Sequence, residues 1–237
     1  MVGGEKLWAP RRGAASCIIR GTALFALLLL AACSRSRAPA SEAGSPEASL
    51  SGGRPLVLCV GTSLTAGLGL RDPDLAYPAL LQEKVTAAGL PHEVRNAGVS
   101  GETSAGALAR LGWLLQQPVS VLVLETGAND ALRGQDPDAT RANIDGILKR
   151  VHALEPRPRI LLLGMEAPPN LGPLYAARFR SIFPELADRY DAALVPFFLE
   201  GVAGMPALNQ PDGVHPTEEG QKKMAEIIWK GLEPLLR

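Results

Sequence analysis

Three short apolar runs, Leu56–Val60 (LVLCV), Val119–Leu124 (VSVLVL) and Ile160–Leu163 (ILLL), constrain this chain more than any other feature. Each is too short for a globular helix and lies close to Gly or Pro. With almost no polar alternation, each reads as a strand buried on both faces. Weaker strand patterns fall at Glu93–Asn96 and Ala193–Pro196. Apolar residues recur at helical spacing over Tyr77–Ala88, Ser104–Gln116, Ala139–Leu154, Tyr175–Tyr190 and Thr217–Leu232, one such stretch after each strand. Strict alternation of this kind predicts an α/β fold, a three-layer α/β/α sandwich around a five-stranded parallel sheet. In such sheets a ligand sits beyond the carboxyl ends of the strands, near the point where strand order reverses. Functional residues are therefore sought just after each strand.

The chain before this domain belongs to another class. Lys6, Arg11, Arg12 and Arg20 precede an apolar run at Ala23–Leu30 and the small residues Ala31 and Ala32, the pattern of a secretory signal. The uncharged stretch from Gly21 to Cys33 is 13 residues long. A bilayer-spanning helix needs about 20, which makes a permanent span the weaker reading. The sequence L-A-A-C at Leu30–Cys33 resembles the lipobox of bacterial lipoproteins, in which the Cys is lipidated and becomes the mature N-terminus. An uncleaved anchor or a plain signal peptide are the alternatives. From Ser34 to Arg54 the chain is rich in Ser, Ala, Gly and Pro, with Leu50 its only large aliphatic residue, so it reads as a flexible tether. The expected organisation is a signal peptide over 1–32, a lipidated Cys and linker over 33–54, and one domain over 55–237. The resemblance at Cys33 implies a bacterial cell-envelope location, with the protein held on a membrane surface facing the periplasm or exterior.

Composition excludes some partners. Lys and Arg total 24 against 24 Asp and Glu, with no basic run, so the electrostatic footprint of nucleic-acid binding is missing. Three His and three Cys are too few and too scattered for a Cys/His metal cage, and no cofactor is expected. Cys59 stands alone in an apolar run once Cys17 leaves with the signal and Cys33 is lipidated, which leaves no intramolecular disulfide.

The strand exits carry the candidate chemistry. After the first strand comes G-T-S-L-T, Gly61–Thr65, where Ser63 either presents a hydroxyl at the sheet edge or caps the next helix. After the second comes N-A-G-V-S-G-E-T, Asn96–Thr103, and after the third T-G-A-N-D, Thr126–Asp130. Both offer backbone N–H groups and an Asn amide to an anion, although turn chemistry alone also selects Gly and Asn. After the last strand, D-G-V-H-P-T at Asp212–Thr217 sets His215 on a loop restrained by Pro216 and capped by Thr217. A spacing of three brings Asp212 within reach of one imidazole nitrogen while the other faces the cleft, the acid-to-base half of a triad; a surface His in a turn is the alternative.

Together these four blocks resemble the SGNH hydrolases, also called the GDSL esterase/lipase family, and more closely its bacterial thioesterase I / lysophospholipase L1 / arylesterase type. The resemblance spans nearly all of residues 55–237 and implies the family's flavodoxin-like arrangement. It implies that Ser63 is the nucleophile, His215 its general base and Asp212 the group orienting the imidazole. Ser63, Gly101 and Asn129 would supply the oxyanion hole. The implied activity is hydrolysis of carboxylic esters or thioesters through an acyl-enzyme, on a small acyl ester or lipid-derived substrate. Two alternatives stand beside it, a carbohydrate O-deacetylase and a non-catalytic surface lipoprotein that keeps the fold as a binding module. One departure stands out: the family's usual G-D-S-L reads G-T-S-L here, with Thr62 in place of Asp, which implies altered rigidity of this loop.

Other eye-catching residues read as structural. His92 and His152 have no acidic or Cys partner at ligand spacing. Trp113 and Trp229 fall in amphipathic helices and are expected to pack in the core. Glu102, Asp130 and Arg133 are candidates for the cleft wall. The segment Glu166–Tyr175 is expected to be a substrate loop.

Overall fold

The computed structural model describes residues 53–237. Signal, Cys33 and most of the proposed tether lie outside these residues. Five strands form one parallel sheet: β1 (Leu56–Gly61), β2 (Glu93–Gly98), β3 (Val121–Glu125), β4 (Arg159–Leu163) and β5 (Ala193–Val195). Their order is β2-β1-β3-β4-β5. Every residue of β1 and β3 is buried, as expected of strands covered on both faces. β2 is an edge strand and is correspondingly half-exposed.

Five longer helices follow the strands: α2 (Tyr77–Ala87), α3 (Ser104–Leu114), α5 (Pro137–His152), α6 (Pro173–Tyr190) and α7 (Glu218–Leu232). α2 packs with α7, and α3, α5 and α6 pack in a row, which gives the two outer layers. The core between them is aliphatic and aromatic, with Tyr77, Phe179, Phe183 and Phe198 its largest fully buried side chains. Two short helices were not expected: α1 (Ser63–Ala66) directly after β1 and α4 (Ala128–Leu132) after β3.

Strand order reverses at β1. The chain steps from β1 outward to β2, then returns to the other side of β1 for β3. The crevice above the β1/β3 pair is thus the switch point, and α1 and α4 both begin there. Trp113 departs from expectation: it is 70% exposed on α3, because Leu111 and Leu114 already supply that helix's buried stripe. Trp229 packs partly buried against the core. Among the described residues, no helix is long and apolar enough to cross a membrane.

Candidate active site

Local sequence fixes the nucleophile candidate first. Thr62, not Ser63, caps α1, accepting from the Leu64 N–H at 3.4 Å. Ser63 is thereby freed from the capping role and becomes the first residue of the helix. Its Oγ lies 2.9 Å from His215 Nε2.

His215 is set by its own loop. Asp212 Oδ1 accepts from the backbone N–H groups of Val214 (2.9 Å) and His215 (3.0 Å), while Oδ2 lies 2.7 Å from His215 Nδ1. One carboxylate therefore shapes the turn and orients the ring. The same three contacts, the imidazole first, hold the Asp212 carboxyl far below the usual carboxylate range. Downstream, Thr217 caps α7 by accepting from the Gly220 N–H at 3.3 Å. α7 then returns to the nucleophile: Gln221 donates to Leu64 O at 3.3 Å and accepts from the Tyr77 N–H at 2.9 Å.

The candidate oxyanion donors come from the other two exits, and the structure brings one of them, Asn129, to the cavity. Asn129 is the second residue of α4 and lines the same cavity as Ser63 and His215. Its amide donates one hydrogen to Glu102 O at 2.9 Å, which tethers the β2 exit loop beside it and leaves the second hydrogen free for a substrate. Gly101 sits next in that loop with φ +78°, a left-handed conformation that disfavours any side chain there. Gly101 does not itself line the cavity; the Arg133 guanidinium donates to its carbonyl at 2.9 Å.

The cavity over Ser63 has a volume of about 160 Å³. Leu132, Met165, Pro168, Leu199 and Val214 give it an apolar lining beside the polar Ser63, Asn129 and His215. Glu166 and Pro168 bring the expected substrate loop to its edge. Asp130 does not line it. Fully buried, Asp130 caps α3, accepting from the Ser104 N–H at 2.8 Å and the Ser104 hydroxyl at 2.5 Å. Glu102 turns instead to Arg110, at 2.6 Å. His92 and His152 lie away from the cavity, and among the described residues no three His, Cys, Asp or Glu side chains gather as metal ligands.

A family model for GDSL-like lipases and acylhydrolases matches residues 59–223, which include all five candidate residues. This chain belongs to that family. Esterase TesA of Pseudomonas aeruginosa is 41% identical over 181 residues, covering 76% of this chain and 89% of that protein. The Escherichia coli protein described as thioesterase 1/protease 1/lysophospholipase L1 is also 41% identical, over 182 residues, 76% of this chain and 84% of that one. A crystal structure of TesA superposes with a TM-score of 0.72 at 42% identity, covering 76% of this chain and 99% of the other. The family's fold and the parallel sheet described above therefore coincide.

Sequence reasoning overlooked Glu125, which closes β3 and is completely buried beneath Ser63. The signal was present: a single acid ending an otherwise apolar strand must find partners, because an unpaired buried carboxyl is costly.

Proposed function

We propose that the protein is a serine hydrolase of carboxylic esters or thioesters, with Ser63 as nucleophile, and that it works on the surface of a bacterial membrane. The observation carrying the chemistry is the continuous path from Ser63 Oγ through His215 to Asp212, at 2.9 and 2.7 Å, opening into an apolar cavity. A Ser hydroxyl is a weak nucleophile near neutral pH unless a base takes its proton as it attacks. His215 Nε2 is placed to do so, with Nδ1–H donated to Asp212 so that the correct tautomer is held.

In the reaction, Ser63 Oγ bonds to the acyl carbon while its proton passes to His215. The negative charge that forms on the carbonyl oxygen is met by the N–H groups of Ser63 and Gly101 and by the free Asn129 amide hydrogen. Collapse of the adduct breaks the C–O or C–S bond, and His215 returns the proton to the departing alkoxide or thiolate. A water molecule then repeats the sequence on the acyl-enzyme, giving the carboxylic acid and free Ser63. Leu132, Met165 and Leu199 offer an apolar wall to the acyl chain, which favours a hydrocarbon-bearing ester over an acetylated sugar.

The names of the relatives, esterase and thioesterase/lysophospholipase, agree with this substrate class. The membrane location rests on the L-A-A-C sequence at Leu30–Cys33 alone. A lipid anchor on Cys33 would bring the domain to a membrane surface, where lipid-derived esters are at hand.

A fluorophosphonate at neutral pH tests the chemistry. It should label the parent protein on Ser63 and leave Ser63→Ala and His215→Ala unlabelled. Unchanged ester turnover in Ser63→Ala would refute the reading, and a protein that binds acyl compounds without turnover would be the non-catalytic module instead.

A further inference from the structure

Next to Ser63, bonded to Thr62 and Thr65 on either side of it in the chain, lies a buried carboxyl that the reaction scheme does not use. Glu125 Oε2 accepts from the Thr62 N–H at 2.7 Å and from the Thr65 hydroxyl at 2.9 Å. The Thr62 hydroxyl lies 3.0 Å from both carboxyl oxygens. Thr65 Oγ1 in turn meets the Tyr77 hydroxyl at 2.9 Å, so the cluster reaches α2. The groups facing the carboxyl are donors, as an ionised acceptor-only side chain requires. The fit is close enough that Gly61, at the end of β1, has no room for a side chain. A Cβ there would stand 1.9 Å from Thr65 Oγ1 and 2.6 Å from Glu125 Oε2.

This matters because α1 is only four residues long. One turn cannot hold its own shape, since helix nucleation is unfavourable. The geometry of Ser63 must be imposed from outside, and Thr62 and Thr65, on either side of it in the chain, both bond to Glu125. Thr62 also stands where the family's usual motif has Asp. An Asp there would set one carboxylate against another and require a shared proton. Thr62 supplies its own hydrogen and keeps the brace complete.

We propose that Glu125 is a positioning residue for the nucleophile, acting through Thr62 and Thr65, and that the Thr62 hydroxyl is a working part of this brace. The proposal rests on Ser63 being the nucleophile. It assigns the Thr-for-Asp departure a specific role where the motif alone implied only altered rigidity of the loop.

The test compares Thr62→Val, Thr62→Ser, Glu125→Gln and Ser63→Ala in the full chain. Three quantities are measured: kcat and KM on p-nitrophenyl butyrate, the rate of fluorophosphonate labelling, and the thermal midpoint. Val keeps the shape and the backbone N–H but deletes the hydroxyl. Thr62→Val should lower kcat and the labelling rate together by roughly tenfold or more, with KM within about twofold, because small misplacements of a reacting group are costly. Thr62→Ser should restore most of both. Glu125→Gln turns an NH2 group toward donors and should lose more; where it does not fold, the two Thr62 variants decide. Parent-like kcat and labelling in Thr62→Val would overturn the proposal. So would a loss matched by the fraction unfolded at the assay temperature. If Ser63→Ala retains turnover, the nucleophile assignment fails. If Ser63→Ala is inert while Thr62→Val is unaffected, only the positioning role fails.

Discussion

Asn129→Ala separates two jobs held by one side chain. In the structure its amide donates one hydrogen to Glu102 O at 2.9 Å, while the residue lines the cavity shared with Ser63 and His215. The first is an ordinary, partly buried hydrogen bond, whose loss costs about 1 kcal/mol. For a domain of this size that lowers the melting midpoint by about 2–4 °C. The second is an oxyanion donor, and removing one of these typically costs about 100- to 1000-fold in kcat, or about 3–4 kcal/mol of transition-state stabilisation. The barrier should therefore suffer far more than the fold. Steady-state kinetics on p-nitrophenyl butyrate, run beside thermal melts, should show kcat falling by two to three orders of magnitude with KM nearly unchanged. A fall under tenfold, or an effect confined to KM, would refute the assignment and make Asn129 a ground-state contact. A midpoint lowered by more than about 10 °C would show that the tether to Glu102 carries more of the loop than one hydrogen bond.

Asp212→Asn should keep the turn, since an amide oxygen still accepts from Val214 and His215, but its NH2 faces Nδ1 and selects the wrong tautomer, so kcat should fall by orders of magnitude. The same carboxyl makes a signed pH prediction: its folded-state pKa lies below the unfolded value of about 3.9. The stability it contributes is present above that value and lost as pH falls through the folded one. The difference in melting midpoint between parent and Asp212→Asn should stay level from pH 5 to 8 and narrow below about pH 4; a difference that widens on acidification would contradict this. Phe179→Ala empties a fully buried site that packs against Phe183 at 5.6 Å and lies beneath Gly127, so it should cost about 3–5 kcal/mol and lower the midpoint by about 6–20 °C. A drop under 3 °C would mean the site collapses without penalty. Cys33→Ser should abolish incorporation of labelled fatty acid in a bacterial host, and mass spectrometry finding an unmodified Cys33 in the parent would remove the anchor while leaving the hydrolase untouched.

Legibility followed burial. β1, β3 and β4 stood out because strands covered on both faces carry no alternation to confuse with a helix, and their observed limits differ from the expected ones by two residues or fewer. α5 and α6 start two residues earlier than apolar spacing suggested, at Pro137 and Pro173, because a Pro in the first turn adds nothing to an apolar stripe yet suits that position. α1 and α4 were invisible, being shorter than two turns. The juxtaposition of Ser63, His215 and Asp212 was legible because each follows a strand or sits in a short loop whose spacing sets its reach. Glu125 was not, because its partners come from a different strand exit. Trp113 misled because a large apolar residue in an amphipathic pattern is ordinarily inside, whereas here it fell off the buried stripe.

The order in which the chain supplies its reacting groups has a temporal consequence. Ser63 arrives with the first strand and His215 only with the loop before the last helix, and Gln221 of that helix secures the two ends to each other. On the proposed assignment, a nascent or clipped fragment ending before His215 would possess a serine without a base, however well its sheet had formed. On that assignment, activity would report that synthesis had passed His215. A protease that removes the C-terminal helix would spare Asp212 and His215 but take away Gln221, which ties that end of the chain to Leu64 and Tyr77, so activity should fall by loss of alignment and not by loss of the base.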